Sequence, residues 1–216
     1  LNDTNFPTID PKDPYKFSPE EKAMLEAIEP TFTQNDKLQA HIKYMFTHGA
    51  LYTIVNGNLL FHGCIPMNED GTFKEIEIDG KKLSGRGYMD YLDKKVRSDY
   101  FHPKEYEAVG YNGDLMWYLW LAENSPLFGK DQMTTLERCL IDDKKTHKEH
   151  TVPYYSLIER KDICVKILRE FGLDPDTSII LNGHVPVKIK DGESPIKGEG
   201  KLYIIDGGMS KAYQKT

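Results

Sequence analysis

Asn58-Leu59-Leu60-Phe61-His62-Gly63-Cys64, and again Ile179-Ile180-Leu181-Asn182-Gly183-His184: two apolar runs of strand length each stop at a histidine with a glycine beside it. Functional side chains of α/β proteins gather where strands end, because the strand fixes the side chain and the loop beyond leaves room for a ligand. Glycine removes the neighbouring side chain so that backbone can approach a metal or phosphate, and imidazole suits borderline divalent metals. His62 and His184 are therefore candidate metal ligands. A lone histidine at a strand end is more often a hydrogen-bonded surface or core residue, and on spacing alone both readings stand.

Around these runs the chain reads as mixed α and β. Residues 51–55, an Asn56-Gly57 turn and 59–62 form a hairpin signature, as do 74–78, Asp79-Gly80 and 81–83. Residues 1–17, with Pro7, Pro11 and Pro14, predict an extended lead-in. Ser18, Pro19 and Glu21 open a helix by a capping box, and Pro30 is expected to close it. A second helix is expected over about 36–47, with Gly49 as a left-handed stop. Further helices are expected near 88–100, 114–122 and 156–171, and strands over 178–181 and 202–205. Residues 185–200 predict a Lys/Gly/Pro-rich loop. The regular β-α-β alternation of a doubly wound domain is missing.

Composition narrows the function. Lys and Arg number 28 against 34 Asp and Glu, a formal net charge of −6, which speaks against a phosphate-backbone binder and so against nucleic acid as partner. Apolar runs are only a few residues long, so no membrane span or membrane partner is expected. The opening residues carry neither the basic nor the apolar region of an export signal. Cys64, Cys139 and Cys164 are odd in number and widely spaced, as expected of reduced thiols in the cytoplasm. With the 13 tyrosines left out and the 17 glycines counted in, the apolar fraction falls a little short of the about 45–50% of average domains. That suits a core completed by other polypeptide.

Several tempting features are better discounted. His147 and His150 are three apart in a charge run, whereas the helical zinc pair is four apart. His41 and His48 read as packing or surface residues, and Trp117, Tyr118 and Trp120 as core or subunit-contact residues at helical spacing.

Whole phrases add to this reading. FPTIDPKDPYKFSPEE (6–21), LLFHGCIP (59–66), WYLWLAENSPLFGK (117–130), MTTLERC (133–139), NGHVPVK (182–188), GESPIKG (192–198) and IDGGMSKAYQKT (205–216) span essentially all of the chain. In them the sequence resembles the class III fructose-1,6-bisphosphatases of the calcineurin-like metallophosphoesterase superfamily. The resemblance implies an α/β fold, the C-terminal part of a calcineurin-like β-sandwich flanked by helices, incomplete in this chain. In domain terms it implies residues 18–216 of the phosphatase domain, with helical insertions at about 84–172. The superfamily's G-D-x-H-G, G-D-x-x-D-R-G and G-N-H-[DE] motifs are absent from the sequence, so the chain is expected to be the later part of a longer enzyme.

For the parent protein the resemblance implies a metal-dependent sugar phosphatase of gluconeogenesis. It would cleave the 1-phosphate of fructose 1,6-bisphosphate with a hydroxide activated by two divalent ions, Mn²⁺ by preference. His62 and His184 are implied ligands of one ion, whose carboxylate and Asn ligands would come from the absent motifs, and no catalytic acid or base is assigned within the chain. Lys188, Lys197, Lys130 and Arg138 are candidates for the substrate phosphates, each with a bland reading as a solvated charge. Asp206, ending a strand before two glycines, could orient a metal-bound imidazole or cap a turn. The chain alone is expected to hold metal weakly and to hydrolyse nothing. An assembly of identical chains is also expected. The rival reading is a non-catalytic assembly or effector-binding module of the same family.

Overall fold

The computed structural model describes residues 1–102, 114–188 and 192–206; the phrase 207–216 thus lies outside the described residues. The chain divides into two compact units, Leu1–Gly49 with Thr134–Lys148, and Ala50–Met133 with Glu149–Thr216.

The first unit is helical. Helix α1 (Pro19–Thr33) starts on the expected capping box: Ser18 Oγ accepts from Glu21 N at 3.2 Å, and Ser18 N donates to Glu21 Oε2 at 2.8 Å. Pro30 does not end it. In the last turn its ring forfeits one backbone donor only, and Gln34 N closes the helix on the Pro30 carbonyl at 2.9 Å. Helix α2 (Asp36–His48) is capped by Asn35 Oδ1 on Leu38 N at 3.0 Å. Gly49 stops it in an extended conformation (φ −74°, ψ 168°), not a left-handed one; glycine is needed because a Cβ would press on the Met45 carbonyl. None of α1, α2 or the short helix Thr135–Leu140 has a buried residue. Met24, Leu25, Ile28 and Phe32 of α1 are exposed.

The second unit is built on a mixed five-stranded sheet, ordered β1-β2-β5-β7-β6. Strands β1 (Tyr52–Val55) and β2 (Asn58–Phe61) form the expected hairpin, in register from Tyr52 opposite Phe61 to Val55 opposite Asn58. Asn56 and Gly57 both take positive φ, as the tight hairpin turn requires. Strands β3 (Ile76–Ile78) and β4 (Lys81–Leu83) form a separate hairpin. Strand β5 (Ile180–Asn182) lies parallel to β2 on one side and to β7 (Leu202–Ile204) on the other. The edge strand β6 (Ile196–Lys197) runs antiparallel to β7, where a loop is expected from the sequence.

Helix α3 (Gly85–Phe101) buries Tyr88, Met89, Leu92 and Val96. Its Ser84 makes no side-chain cap; instead Glu170 Oε1 accepts from Arg86 N at 3.0 Å. The single helix expected over 156–171 is broken. A short helix, Tyr154–Leu157, is followed by a turn that buries Ile158, and a second helix (Lys161–Glu170) sinks Ile163, Cys164, Ile167 and Leu168. Leu59, Ile180 and Leu202, one from each parallel strand, are fully buried and mutually in register. All three cysteines are free thiols; Cys64 and Cys164 are buried, and burial pushes each up to about 12.

Leu59→Ala empties the middle of this core and should cost about 2–5 kcal/mol. In urea denaturation the midpoint should fall with the slope unchanged; a midpoint within error of wild type would contradict this placement of the core.

Candidate functional site

Parallel register decides where the site forms. Phe61 is opposite Asn182, and Asn182 is opposite Ile204, so β2, β5 and β7 end at one level. The next residues, His62, Gly183-His184 and Ile205-Asp206, therefore leave the sheet side by side. This is the carboxyl edge of the parallel strands, where open α/β sheets place their ligands.

The two imidazoles meet there. His62 Nε2 and His184 Nδ1 are 3.0 Å apart, with the rings nearly perpendicular at 75°. His184 Nε2 is 2.7 Å from the Phe128 carbonyl oxygen. A carbonyl only accepts, so His184 carries its proton on Nε2 and presents a bare lone pair at Nδ1. His62 must then donate from Nε2 into that lone pair. One proton thus lies between two nitrogens whose lone pairs would both be open to a cation were it to leave.

The backbone around the pair is tightly fitted. His184 has φ 71°, left-handed for a residue with a side chain, the kind of local strain that clusters at functional sites. Cys64 N donates to the Pro126 carbonyl at 2.8 Å, and a Cβ on Gly63 would be driven into that same oxygen. The segment 125–128 is itself pinned by buried Ser125, whose Oγ donates to the Leu119 carbonyl at 2.5 Å and accepts from Leu127 N at 3.1 Å. The Phe128 carbonyl is consequently a rigid acceptor.

Electrostatics keep the His184 imidazole uncharged. Burial holds its imidazole below the usual value, with His62 and Lys130 pushing the same way and the Phe128 carbonyl and Asp206 opposing. His184 is therefore neutral near pH 7. Asp206 stands close to the pair: Asp206 Oδ2 is 3.9 Å, and His62 Nδ1 3.6 Å, from where a Cβ on Gly183 would be.

The basic candidates part company. Lys130 lies near enough to bias His184, although its ammonium pairs with Glu149 at 2.8 Å. Lys188 is exposed on the loop that follows His184; its backbone N donates to Glu193 Oε2 at 2.9 Å, and no carboxylate among the described residues pairs with its ammonium. Lys197 is ion-paired with Glu159, its side chain only 14% exposed. Arg138 belongs to the helical unit, bonded to Thr134 Oγ1 at 3.0 Å and to the His147 carbonyl at 2.6 Å. Among the described residues no three His, Cys, Asp or Glu side chains form a metal-binding group. The donor chemistry still fits a shared ion: two ligand nitrogens at right angles on one cation, at about 2.0–2.2 Å each, are about 3 Å apart.

Sequence reading did not single out Asn182, the Phe128 carbonyl or Tyr154. For Asn182 there was a signal, a polar residue closing an otherwise apolar parallel strand. For Phe128 there was none, since a backbone acceptor leaves no mark in residue type.

Long-range ¹H–¹⁵N spectra of the chain without metal should show His184 protonated at Nε2 and bare at Nδ1, with His62 protonated at Nε2. A proton on His184 Nδ1 would contradict the arrangement.

The comparisons with known proteins agree with one another. The family model described as Firmicute fructose-1,6-bisphosphatase matches residues 1–216. The fructose-1,6-bisphosphatase class 3 of Clostridium acetobutylicum is 53% identical over 214 residues, 99% of this chain and 32% of the relative. Those of Clostridium novyi, 52% identical over 99% of this chain and 32% of the relative, and of Alkaliphilus metalliredigens, 51% identical over 100% and 33%, are similar. No solved structure matches. The chain spans about a third of the length of these relatives, and it belongs to the Firmicute fructose-1,6-bisphosphatase family.

Proposed function

We infer that this chain is the part of a class 3 fructose-1,6-bisphosphatase that supplies His62 and His184 to one divalent cation of the active site. The observation that carries the reading is the 3.0 Å separation of two imidazole nitrogens from residues 122 positions apart, in a chain of this family. Mn²⁺ is the cation we favour; such an ion supplies Lewis-acid polarisation of a phosphoryl oxygen and an activated nucleophile. The remaining ligands, carboxylates above all, would come from outside this chain, because a hard ion held by two neutral imidazoles alone is held weakly.

The chain's own residues prepare that site. His184 aims its lone pair under control of the Phe128 carbonyl, and burial keeps the ring uncharged. Asp206 offers a nearby negative charge that offsets the cationic ligand set. Lys188 grips a phosphate of fructose 1,6-bisphosphate, since its ammonium is the least committed of the four candidates. Lys130 contributes field from beside Glu149. Lys197 and Arg138 are weaker candidates, because their own partners already hold them. The five-stranded sheet would be one layer of a calcineurin-like sandwich. The substrate belongs to gluconeogenesis and the free thiols to the cytoplasm; exposed apolar side chains on α1 support an assembly of identical chains. No helix among the described residues is long and apolar enough to cross a membrane.

A second reading, a non-catalytic assembly or effector-binding module, is favoured by one observation: no group of three candidate ligands exists among the described residues. Steady-state kinetics on the intact enzyme with Mn²⁺ separate the two. Single His62→Ala and His184→Ala changes should each lower kcat for fructose 1,6-bisphosphate at least 100-fold, and Lys188→Ala should raise KM tenfold or more. Unchanged kcat in both histidine variants would favour the module.

A further inference from the structure

A strand parallel to neighbours on both sides is buried on both faces and is ordinarily apolar throughout. Strand β5 breaks that rule at its last residue: Asn182 is 1% exposed. A buried carboxamide costs free energy unless each polar group finds a partner, and here each does. Asn182 Nδ2 donates to the Gly63 carbonyl at 2.8 Å and to the His62 carbonyl at 3.0 Å, with the Phe61 carbonyl at 3.4 Å. Asn182 Oδ1 accepts from the Tyr154 hydroxyl at 3.2 Å. Reversing the amide would set its oxygen against three carbonyl oxygens, so the orientation is unambiguous. Tyr154 is itself fully buried, and its hydroxyl is a fixed neutral donor.

The backbone adds to the same junction. Gly183 N donates to the His62 carbonyl at 3.0 Å, and Ile205 N to the Asn182 carbonyl at 2.8 Å. Where the β2–β5 ladder stops, the Asn182 side chain takes over. It holds the departing carbonyls of 61–63 while its own chain continues through Gly183 into His184. The two imidazoles are thus referred to one side chain, by hydrogen bonds on one side and covalently on the other.

We propose that Asn182 is the positioning residue that sets the spacing of His62 and His184, with Tyr154 fixing the orientation of its amide. This rests on reading the two histidines as ligands of one ion. Groups that orient ligands without touching the metal typically carry 10–100-fold of its affinity, and here the orienting acts through the backbone of one ligand.

The test is Mn²⁺ affinity of the intact enzyme, measured as free Mn²⁺ by electron paramagnetic resonance, for wild type and for His62→Ala, His184→Ala, Asn182→Ala and Tyr154→Phe. Asn182→Ala should weaken binding tenfold or more, with activity largely restored by excess Mn²⁺; Tyr154→Phe should weaken it about threefold. A purely structural role would lower the melting temperature yet leave the folded variant binding Mn²⁺ as wild type does, and that result overturns the proposal. If Asn182→Ala yields no folded protein, Tyr154→Phe decides, and wild-type affinity there overturns it. Should both histidine variants bind Mn²⁺ like wild type, the ligand reading itself fails. Should they lose Mn²⁺ while Asn182→Ala keeps it, only the positioning role fails.

Discussion

Two imidazoles sharing a single proton across 3.0 Å are the point on which everything else in the second unit converges. Their meeting follows from parallel pairing in register, which ends β2, β5 and β7 at one level and delivers His62, His184 and Asp206 to one edge. The buried row Leu59, Ile180 and Leu202 packs together at that register. Hydrophobic burial two or three residues back along each strand thereby sets where the chains leave the sheet.

The geometry of the pair depends on the groups around it. The Phe128 carbonyl chooses the His184 tautomer, and the segment 125–128 that carries it also fills the space a side chain on Gly63 would need. The Asn182 carboxamide ties the carbonyls of 61–63 to β5. Desolvation keeps His184 neutral, the protonation state in which imidazole is a ligand. None of these interactions is large singly. Together they fix the His184 ring and the backbone of 61–63, from which the exposed His62 ring reaches the His184 lone pair.

Much of this was legible in the residues. Both hairpins were marked by Asn56-Gly57 and Asp79-Gly80, α1 by its capping box, and the two histidines by the way each closes an apolar run. What escaped was set by tertiary contact. Strand β6 is two residues long and exists only because β7 offers it a partner. The helix expected over 156–171 breaks at Arg160, which turns extended (φ −90°, ψ 127°) just after Ile158 is buried in a helical conformation. Lys197 looked like a free charge until folding placed Glu159 beside it. Gly49 was read for its conformational freedom, whereas it is needed for its lack of a side chain.

The claim that both imidazoles serve one cation can be read directly by pulsed electron paramagnetic resonance on the Mn²⁺-loaded intact enzyme. Electron spin echo modulation should reveal two directly bound imidazole nitrogens on the same ion, one of them vanishing in His62→Ala and the other in His184→Ala. Modulation that is identical in wild type and both variants would contradict it.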